Sequence, residues 1–329
     1  MEKGYTASIT GVGSFLPRKV ITNDDLTRIL DTTDEWITKR TGIKERRIVE
    51  DGVAASDLAI EASLRALDDA NVSPSEVDLI VAATITPDCL VPSTACFIQE
   101  KIGARNAGAF DLLAACAGFV YALSIARSFV VSGAMKTVLV VGTECLSKIT
   151  DYTDRSTCIL FGDGAGAVVV QRGNGKREIV TTYLGSDGSQ AELLMLPAGG
   201  SKLPASLKTI ESRSHYIQLK GKELFKIAIN NMVDMITKTA AENNMQVEDI
   251  DMIIPHQSNI RIIEAAMERL KLPRKRAYIN IDRFGNTSSA SIPIALDEID
   301  KGGMLKSGDT VLLVAFGGGL TWGTSLIKW

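Results

Sequence analysis

The sequence predicts a duplicated α/β fold: two similar halves, residues 1–172 and 173–329, each a mixed, mostly parallel sheet covered by helices. Three observations carry the prediction. Short, fully apolar runs alternate along the chain with longer amphipathic stretches, the pattern of strands buried on both faces between helices. The order helix, strand, helix, strand, helix, strand then occurs twice. The two copies also keep register: Ile250-Asp251-Met252-Ile253-Ile254 echoes Val77-Asp78-Leu79-Ile80-Val81, with the aspartates 173 residues apart in a chain of 329.

The first half opens with a strand over 7–13, closed by Gly11, Gly13 and Pro17. Asn23 suits the cap of a helix from Asp24 with Leu26, Ile29 and Leu30 on one face. In Asp34-Glu35-Trp36-Ile37-Thr38-Lys39-Arg40, Trp36 and Arg40 stand four apart and share a helix face. An aromatic plane beside a guanidinium suits a nucleotide base and its phosphates; a surface Trp under an Arg stem has the same spacing. Residues 56–71 are an amphipathic helix through Ile60, Leu64 and Leu67. Residues 77–83 are a buried strand, and 94–102 a helix beyond the loop of Pro87 and Pro92. A strand at 109–113, a buried helix at 119–131 and a strand at 137–142 follow.

Gly162-Asp163-Gly164-Ala165-Gly166 has the look of a nucleotide loop. A strand-like run, 167–170, follows where a dinucleotide fingerprint needs a helix, so the segment reads as a turn into a strand. In the second half, Phe225, Ile229, Met232 and Ile236 mark one face of a helix over 224–243. Then come a strand at 250–254, a helix at 260–270, a strand at 278–281, a helix through 291–299 and a strand at 310–314.

Composition narrows the function. The chain is 45% hydrophobic and 23% charged with net charge −3, an ordinary globular balance that argues against nucleic acid as main partner. Residues 1–15 lack the basic and apolar regions of a secretory leader, and no apolar run reaches spanning length, so no membrane insertion is expected. Five scattered cysteines give neither a disulfide framework nor a zinc pattern, which predicts a reduced, cytoplasmic setting with no metal.

One of those cysteines sits where chemistry is expected. Cys116 falls at the joint between the 109–113 strand and the 119–131 helix, among Ala114, Ala115, Ala117 and Gly118. Unpaired N–H groups and the positive end of a helix there favour a thiolate; a small buried core residue is the alternative. In the second half the matching joint is Gly285-Asn286-Thr287-Ser288-Ser289, and the matching strand end is Pro255-His256-Gln257-Ser258-Asn259. The loop after the last strand is Phe316-Gly317-Gly318-Gly319-Leu320. Taken singly, a histidine is often structural and an asparagine after glycine a turn residue. Together at strand ends, where α/β sheets gather ligands, Cys116, His256 and Asn286 form one constellation.

Those motifs resemble one family over essentially the whole chain. Ser14-Phe15-Leu16-Pro17, Asp34-Glu35-Trp36-Ile37, Arg40-Thr41-Gly42-Ile43, Ala114-Ala115-Cys116-Ala117-Gly118-Phe119, Phe161-Gly162-Asp163-Gly164-Ala165-Gly166-Ala167, His256-Gln257-Ser258-Asn259, Gly285-Asn286-Thr287-Ser288 and the glycines of 317–323 are similar to those of the β-ketoacyl-acyl carrier protein synthase III family, within the thiolase-like superfamily. The resemblance implies an αβαβα fold with a pair of five-stranded sheets and a homodimer. It implies condensation of a short-chain acyl-CoA with malonyl-acyl carrier protein to start type II fatty acid synthesis, with no cofactor.

Carried over by position, Cys116 accepts the acyl group and His256 and Asn286 promote decarboxylation. The N–H groups of Cys116 and Gly318 form an oxyanion hole. Trp36, Arg40 and Arg155 meet the coenzyme A nucleotide, and Gly221 and Asn259 its pantetheine arm. The resemblance also places Val91, from a loop reaching the partner, and Leu320 at the acyl pocket. Acetyl-preferring members carry Phe at both positions, so larger or branched primers are expected here. Arg261, Lys271, Arg274, Lys275 and Arg276 are a candidate docking face for the acidic carrier protein; a solvated basic turn is the alternative.

Rivals fit less well. A degradative thiolase needs a second Cys in the 317–323 loop, and an elongating synthase a second His at position 286. A papain-like hydrolase shares the order Cys, His, Asn but leaves the duplication unexplained. A non-catalytic acyl-CoA binder and a relative priming polyketide or secondary-metabolite synthesis remain open.

Overall fold

The computed structural model describes residues 5–329; residues 1–4, the start of the stretch screened for a leader, lie outside the described residues. Nine strands are joined edge to edge: β1 (Ala7–Phe15), β2 (Leu79–Ala83), β3 (Gly108–Leu112), β4 (Thr137–Glu144), β5 (Gly164–Arg172), β6 (Glu178–Ser186), β7 (Met252–Pro255), β8 (Thr310–Gly317) and β9 (Thr321–Lys328). Their spatial order is β7-β8-β9-β6-β1-β5-β4-β2-β3. The last five belong to the first half and the first four to the second. The halves meet at β1 and β6, where Ser8 faces Glu178. Residue 172, the expected end of the first half, is the last of β5.

Strand alternation sorts the core into layers. Val138 and Val140 of β4, and Val311 and Leu313 of β8, enter one central core with helices α4 (Gly118–Val131) and α7 (Ser291–Lys301). Leu139 and Val141 point the other way, against α2 (Ala55–Ala70) and α3 (Thr94–Ile102). Leu312 and Val314 likewise turn outward, to α5 (Gly221–Glu242) and α6 (Ile260–Arg269). The layers are therefore α2/α3, sheet, α4/α7, sheet, α5/α6. Both sheets are buried on both faces, so a one-residue slip in β4 would exchange the side chains of two cores. Each such Val or Leu, fully buried, contributes ~1.5–3 kcal/mol.

The duplication is visible in fine geometry. Asp78 N and Asp251 N each donate to a threonine carbonyl, Thr137 and Thr310, at 2.9 Å. Ala115 and Ser288 both hold the left-handed conformation, at φ 46° and 47°. Each stands in a 3-10 turn, Ala115–Ala117 or Ser288–Ala290, that leads straight into a central helix. All these pairs are 173 residues apart.

The structure departs from expectation in four places. The strand expected at 278–281 is reduced to one bridge, Ile253 with Ala277, so the second sheet has four strands rather than five. The Gln257 side chain takes over as partner there: its Nε2 donates to Tyr278 O and its Oε1 accepts from Asn280 N. Strands β6 and β9 did not stand out as apolar runs. They bring antiparallel pairing, and parallel pairs are confined to β2 with β3, β2 with β4, and β7 with β8. Finally, Thr22, not Asn23, caps the helix at 23–27; the Asn23 amide instead turns inward to Ile43 O and accepts from Arg46.

Candidate active site

Cys116 lies in the turn Ala115–Ala117 at the mouth of α4 and is 8% exposed. Its backbone is pressed against the end of β8. A Cβ on Gly317 would lie 2.6 Å from Cys116 N, so only glycine fits at 317. His256 directly follows β7, and its N–H donates to Val314 O of β8. Asn286 is clamped by a backbone ladder with 160–162: Asn286 N donates to Leu160 O at 2.8 Å, and Gly162 N to Asn286 O at 3.0 Å. Position 162 is glycine because any Cβ would collide with Phe284 O. The Gly162-Asp163-Gly164 segment thus serves close backbone approach. Asp163 ties the carboxyl end of the turn to Val49 N and Ser147.

These residues line one cavity of about 180 Å³. Cys116, His256 and Asn286 share it with Arg40, Gly221, Asn259 and Arg261, and its walls include Leu160, Phe161, Leu224, Phe225 and Phe316. At its mouth, α1 (Asp34–Thr41) presents Trp36, with the Arg40 and Arg155 guanidinium carbons 5.3 and 4.9 Å from the Trp36 ring centre. Asn259 caps α6 through Arg261 N and donates to Arg40 O, which fixes the two helices at this mouth.

Both polar groups present donors to the cavity. His256 Nδ1 lies 2.8 Å from Ser291 Oγ. That oxygen also accepts from Gln257 N at 3.3 Å; with the Ser291 hydroxyl donating to Nδ1, the ring's hydrogen is on Nε2. Burial pushes His256 down to about 3, so the ring is neutral at any working pH. Asn286 Oδ1 accepts from Ser288 N at 2.8 Å, which leaves its NH₂ group for a ligand. A neutral N–H pair is suited to an oxygen that gains negative charge.

Cys116 differs from expectation. Burial pushes the thiol up to about 12, despite the helix terminus. That rise disfavours the thiolate by roughly 4 kcal/mol, whereas a helix N-terminus returns at most ~2 kcal/mol. Burial therefore works against the helix terminus at this thiol.

Other expected site residues lie elsewhere. Gly318 is one residue beyond the cavity wall, packed on Leu194. Val91 is 85% exposed and Leu320 is buried in the α5/α6 core, so within one chain they form no common pocket. In the basic group, Arg274 is paired with Glu264 at 2.8 Å, and Arg276 donates to the carbonyls of Glu248 and Ile250. Arg276 is thereby tied to the backbone and half-buried, whereas Arg261, Lys271 and Lys275 are exposed. Sequence reasoning gave no role to Ser291, Ser289 or Glu144. The 173-residue offset was a signal for one neighbour, since it maps Cys116 onto Ser289.

A five-layered, two-halved fold with a buried thiol facing two neutral N–H donors defines a thiolase-type acyltransferase. Comparison with known proteins narrows the class. The chain matches 3-oxoacyl-[acyl-carrier-protein (ACP)] synthase III over residues 110–188 and the C-terminal region of the same description over 240–329. A β-ketoacyl-[acyl-carrier-protein] synthase III of Caldanaerobacter subterraneus subsp. tengcongensis is 54% identical over 329 residues, covering 100% of this chain and 99% of that protein. The crystal structure of 3-oxoacyl-[acyl-carrier-protein] synthase III from Aquifex aeolicus is similar with a TM-score of 0.90 at 48% identity, covering 98% of this chain and 100% of that one. The priming β-ketosynthase of the R1128 polyketide pathway is similar with a TM-score of 0.91 at 36% identity, over 99% and 97%. The chain belongs to the 3-oxoacyl-[acyl-carrier-protein] synthase III family.

Proposed function

We propose that this enzyme condenses a short-chain acyl-CoA with malonyl-acyl carrier protein, releasing CoA and CO₂ and giving β-ketoacyl-acyl carrier protein, the first condensation of type II fatty acid synthesis. The observation that carries the reading is the shared cavity, with Cys116 opposite His256 and Asn286, each offering a neutral N–H. Cys116 attacks the acyl-CoA thioester, so one difficult transfer becomes two easier ones. The N–H groups of Cys116 and Gly318 hold the tetrahedral oxyanion, worth ~3–4 kcal/mol per donor in comparable sites. Malonyl thioester then enters. His256 Nε2–H and Asn286 Nδ2–H stabilise the enolate as CO₂ leaves, and the carbanion attacks the acyl group on Cys116. This chemistry requires no metal or redox cofactor.

Trp36, Arg40 and Arg155 hold the nucleotide of coenzyme A, and Gly221 and Asn259 its pantetheine arm along the cavity. Arg261, Lys271 and Lys275 steer the acidic carrier protein, with Arg274 available once its surface pair with Glu264 yields. The protein works as a homodimer. Edge strand β3 carries exposed Phe110, and Leu113 beside it is 78% exposed, an apolar edge suited to a second copy. Val91 then acts across that interface on its partner's acyl pocket. Five free thiols suit a reducing cytoplasm. Likeness to a polyketide-priming synthase favours a second reading in which the same reaction primes a secondary pathway.

The test is incubation with acetyl-, isobutyryl- and isovaleryl-CoA, then malonyl-acyl carrier protein. A mass shift on Cys116 and CO₂ release are expected, with branched primers used at least as well as acetyl-CoA. Cys116→Ser forms no adduct, since a serine hydroxyl without a strong base is a poor nucleophile. A normal adduct on that variant would remove Cys116 from the mechanism.

A further inference from the structure

Arg46, in the short strand Glu45–Ile48, is 1% exposed and has no ion-pair partner among the described residues. A buried charge is ordinarily paired, and one held only by neutral groups is a weak source of stability. Its Nε makes no hydrogen bond, so even the neutral groups satisfy it only in part. Its use lies in what the two ends of the guanidinium join.

Nη2 donates to Ile159 O at 2.8 Å. Ile159 is the C-cap of the short helix Arg155–Cys158, which carries Arg155. Nη1 donates to Asn23 Oδ1 at 2.9 Å and to Ile21 O at 3.2 Å. Asn23, itself buried, extends the connection to α1. Its Nδ2 donates to Asp34 Oδ1 at 2.8 Å, in the first turn of α1, and to Ile43 O at 2.7 Å, two residues past the end of that helix. One planar fork, with an amide behind it, thus ties both ends of the helix carrying Trp36 and Arg40 to the carboxyl end of the helix carrying Arg155. The apolar cluster shared by these helices is small, with Leu26, Ile37, Cys158 and Ile159 as its buried members. Arg155 Nη1 also donates to Asp31 O, but in an exposed position. The buried polar tie therefore weighs heavily in how the two helices are set. The Arg46 stem has a separate task. A Cβ on Gly162 or Gly285 would stand 3.3 or 3.2 Å from Arg46 Cβ, so the stem backs the Asn286 clamp while the fork serves the helices.

We propose that Arg46, acting through Asn23, is the positioning residue of the nucleotide slot: its fork fixes α1 against the helix Arg155–Cys158, and so sets the gap in which Trp36, Arg40 and Arg155 take the base and phosphates of coenzyme A. The inference rests on the reading of those three residues as the nucleotide site. Arg155 meets the Trp36 ring across the two helices, its guanidinium carbon 4.9 Å from the ring centre, so any shift between the helices changes that gap directly. Lysine cannot replace the fork. An ammonium is a point charge on a flexible stem and does not hold two elements at a fixed angle.

The test is single-turnover acylation of the full-length enzyme, with Cys116 adduct counted by mass spectrometry. The substrates are acetyl-CoA and acetyl-pantetheine, which lacks the nucleotide. Arg46→Lys keeps the stem and the charge; Asn23→Ala keeps the bond from Arg46 to Ile159 and cuts the tie to α1. Each raises the half-saturating concentration of acetyl-CoA about fivefold or more while the maximal acylation rate stays within about twofold, the pattern of lost uniform binding. Each leaves the rate with acetyl-pantetheine within about twofold of wild type, whereas a general structural loss lowers both substrates alike. Trp36→Ala is the reference and shows the same selective loss. If Trp36→Ala is selective but Arg46→Lys and Asn23→Ala lose both substrates equally, or neither, the positioning role of Arg46 is overturned alone. If Trp36→Ala does not discriminate between the substrates, the nucleotide site is overturned and this inference with it.

Discussion

Glu144→Gln should stabilise the protein at alkaline pH and not at acid pH. Burial pushes the Glu144 carboxyl up to about 7, against ~4.3 in an unfolded chain. A value raised on folding means that the folded state binds the extra proton between those two limits. Its contribution is complete below about pH 4 and is lost as pH rises through about 7. The gap corresponds to about 3–4 kcal/mol of penalty for an ionised Glu144 at pH 8. Glutamine resembles the protonated acid in shape and charge, so the variant escapes that penalty. For 329 residues the size scaling gives about 1.5 °C per kcal/mol. Roughly 1 kcal/mol of that penalty is already present at pH 5, so the variant's melting temperature relative to wild type should rise by ~4 °C between pH 5 and pH 8. The assay is scanning calorimetry of both proteins across that range at one protein concentration. His256, neutral in both folded proteins, costs both the same stability as pH falls below ~6.5, so it cancels. A difference in melting temperature that stays flat with pH would refute the burial argument.

Two further outcomes bear on the division of labour. His256→Ala and Asn286→Ala should acylate Cys116 at near wild-type rates yet lose CO₂ release from malonyl thioester by ~10²–10³-fold, the cost of removing an oxyanion-type donor; equal loss of acylation, by adduct mass, would make His256 a base. Charge reversal at Lys271 and Lys275 should raise KM for malonyl-acyl carrier protein by tenfold or more at low salt while sparing a malonyl-pantetheine mimic, and equal losses on both would reject docking there.

Much of this architecture is legible in the chain because burial on both faces leaves continuous apolar runs. Thr94–Ile102 has the bounds expected for it, and the helix expected from 119 starts one residue earlier, at Gly118. Strands β6 and β9 are less legible, because threonine, serine and glycine interrupt their apolar residues. The expected strand at 278–281 failed for another reason: the Gln257 side chain substitutes for a backbone neighbour, which no periodicity records. At the site, residue types and strand-end positions were enough to group Cys116, His256 and Asn286. The charge state of the thiol was not legible. It depends on how completely α4, the 3-10 turns and the glycine loop exclude water, a property of the assembled halves rather than of the local sequence.

The contact of Gly317 with Cys116 has a consequence for how activity appears during folding. The two residues lie 201 positions apart, so this closure is among the longest-range contacts the chain must make. Contacts of that separation form late, after locally connected units have condensed. A chain whose first half alone has folded carries Cys116 but lacks His256, Asn286 and the glycine loop. It holds a thiol with no donors opposite it and no wall against water. Half-folded chains therefore cannot carry out the decarboxylating condensation, and that competence arrives only when both halves have docked.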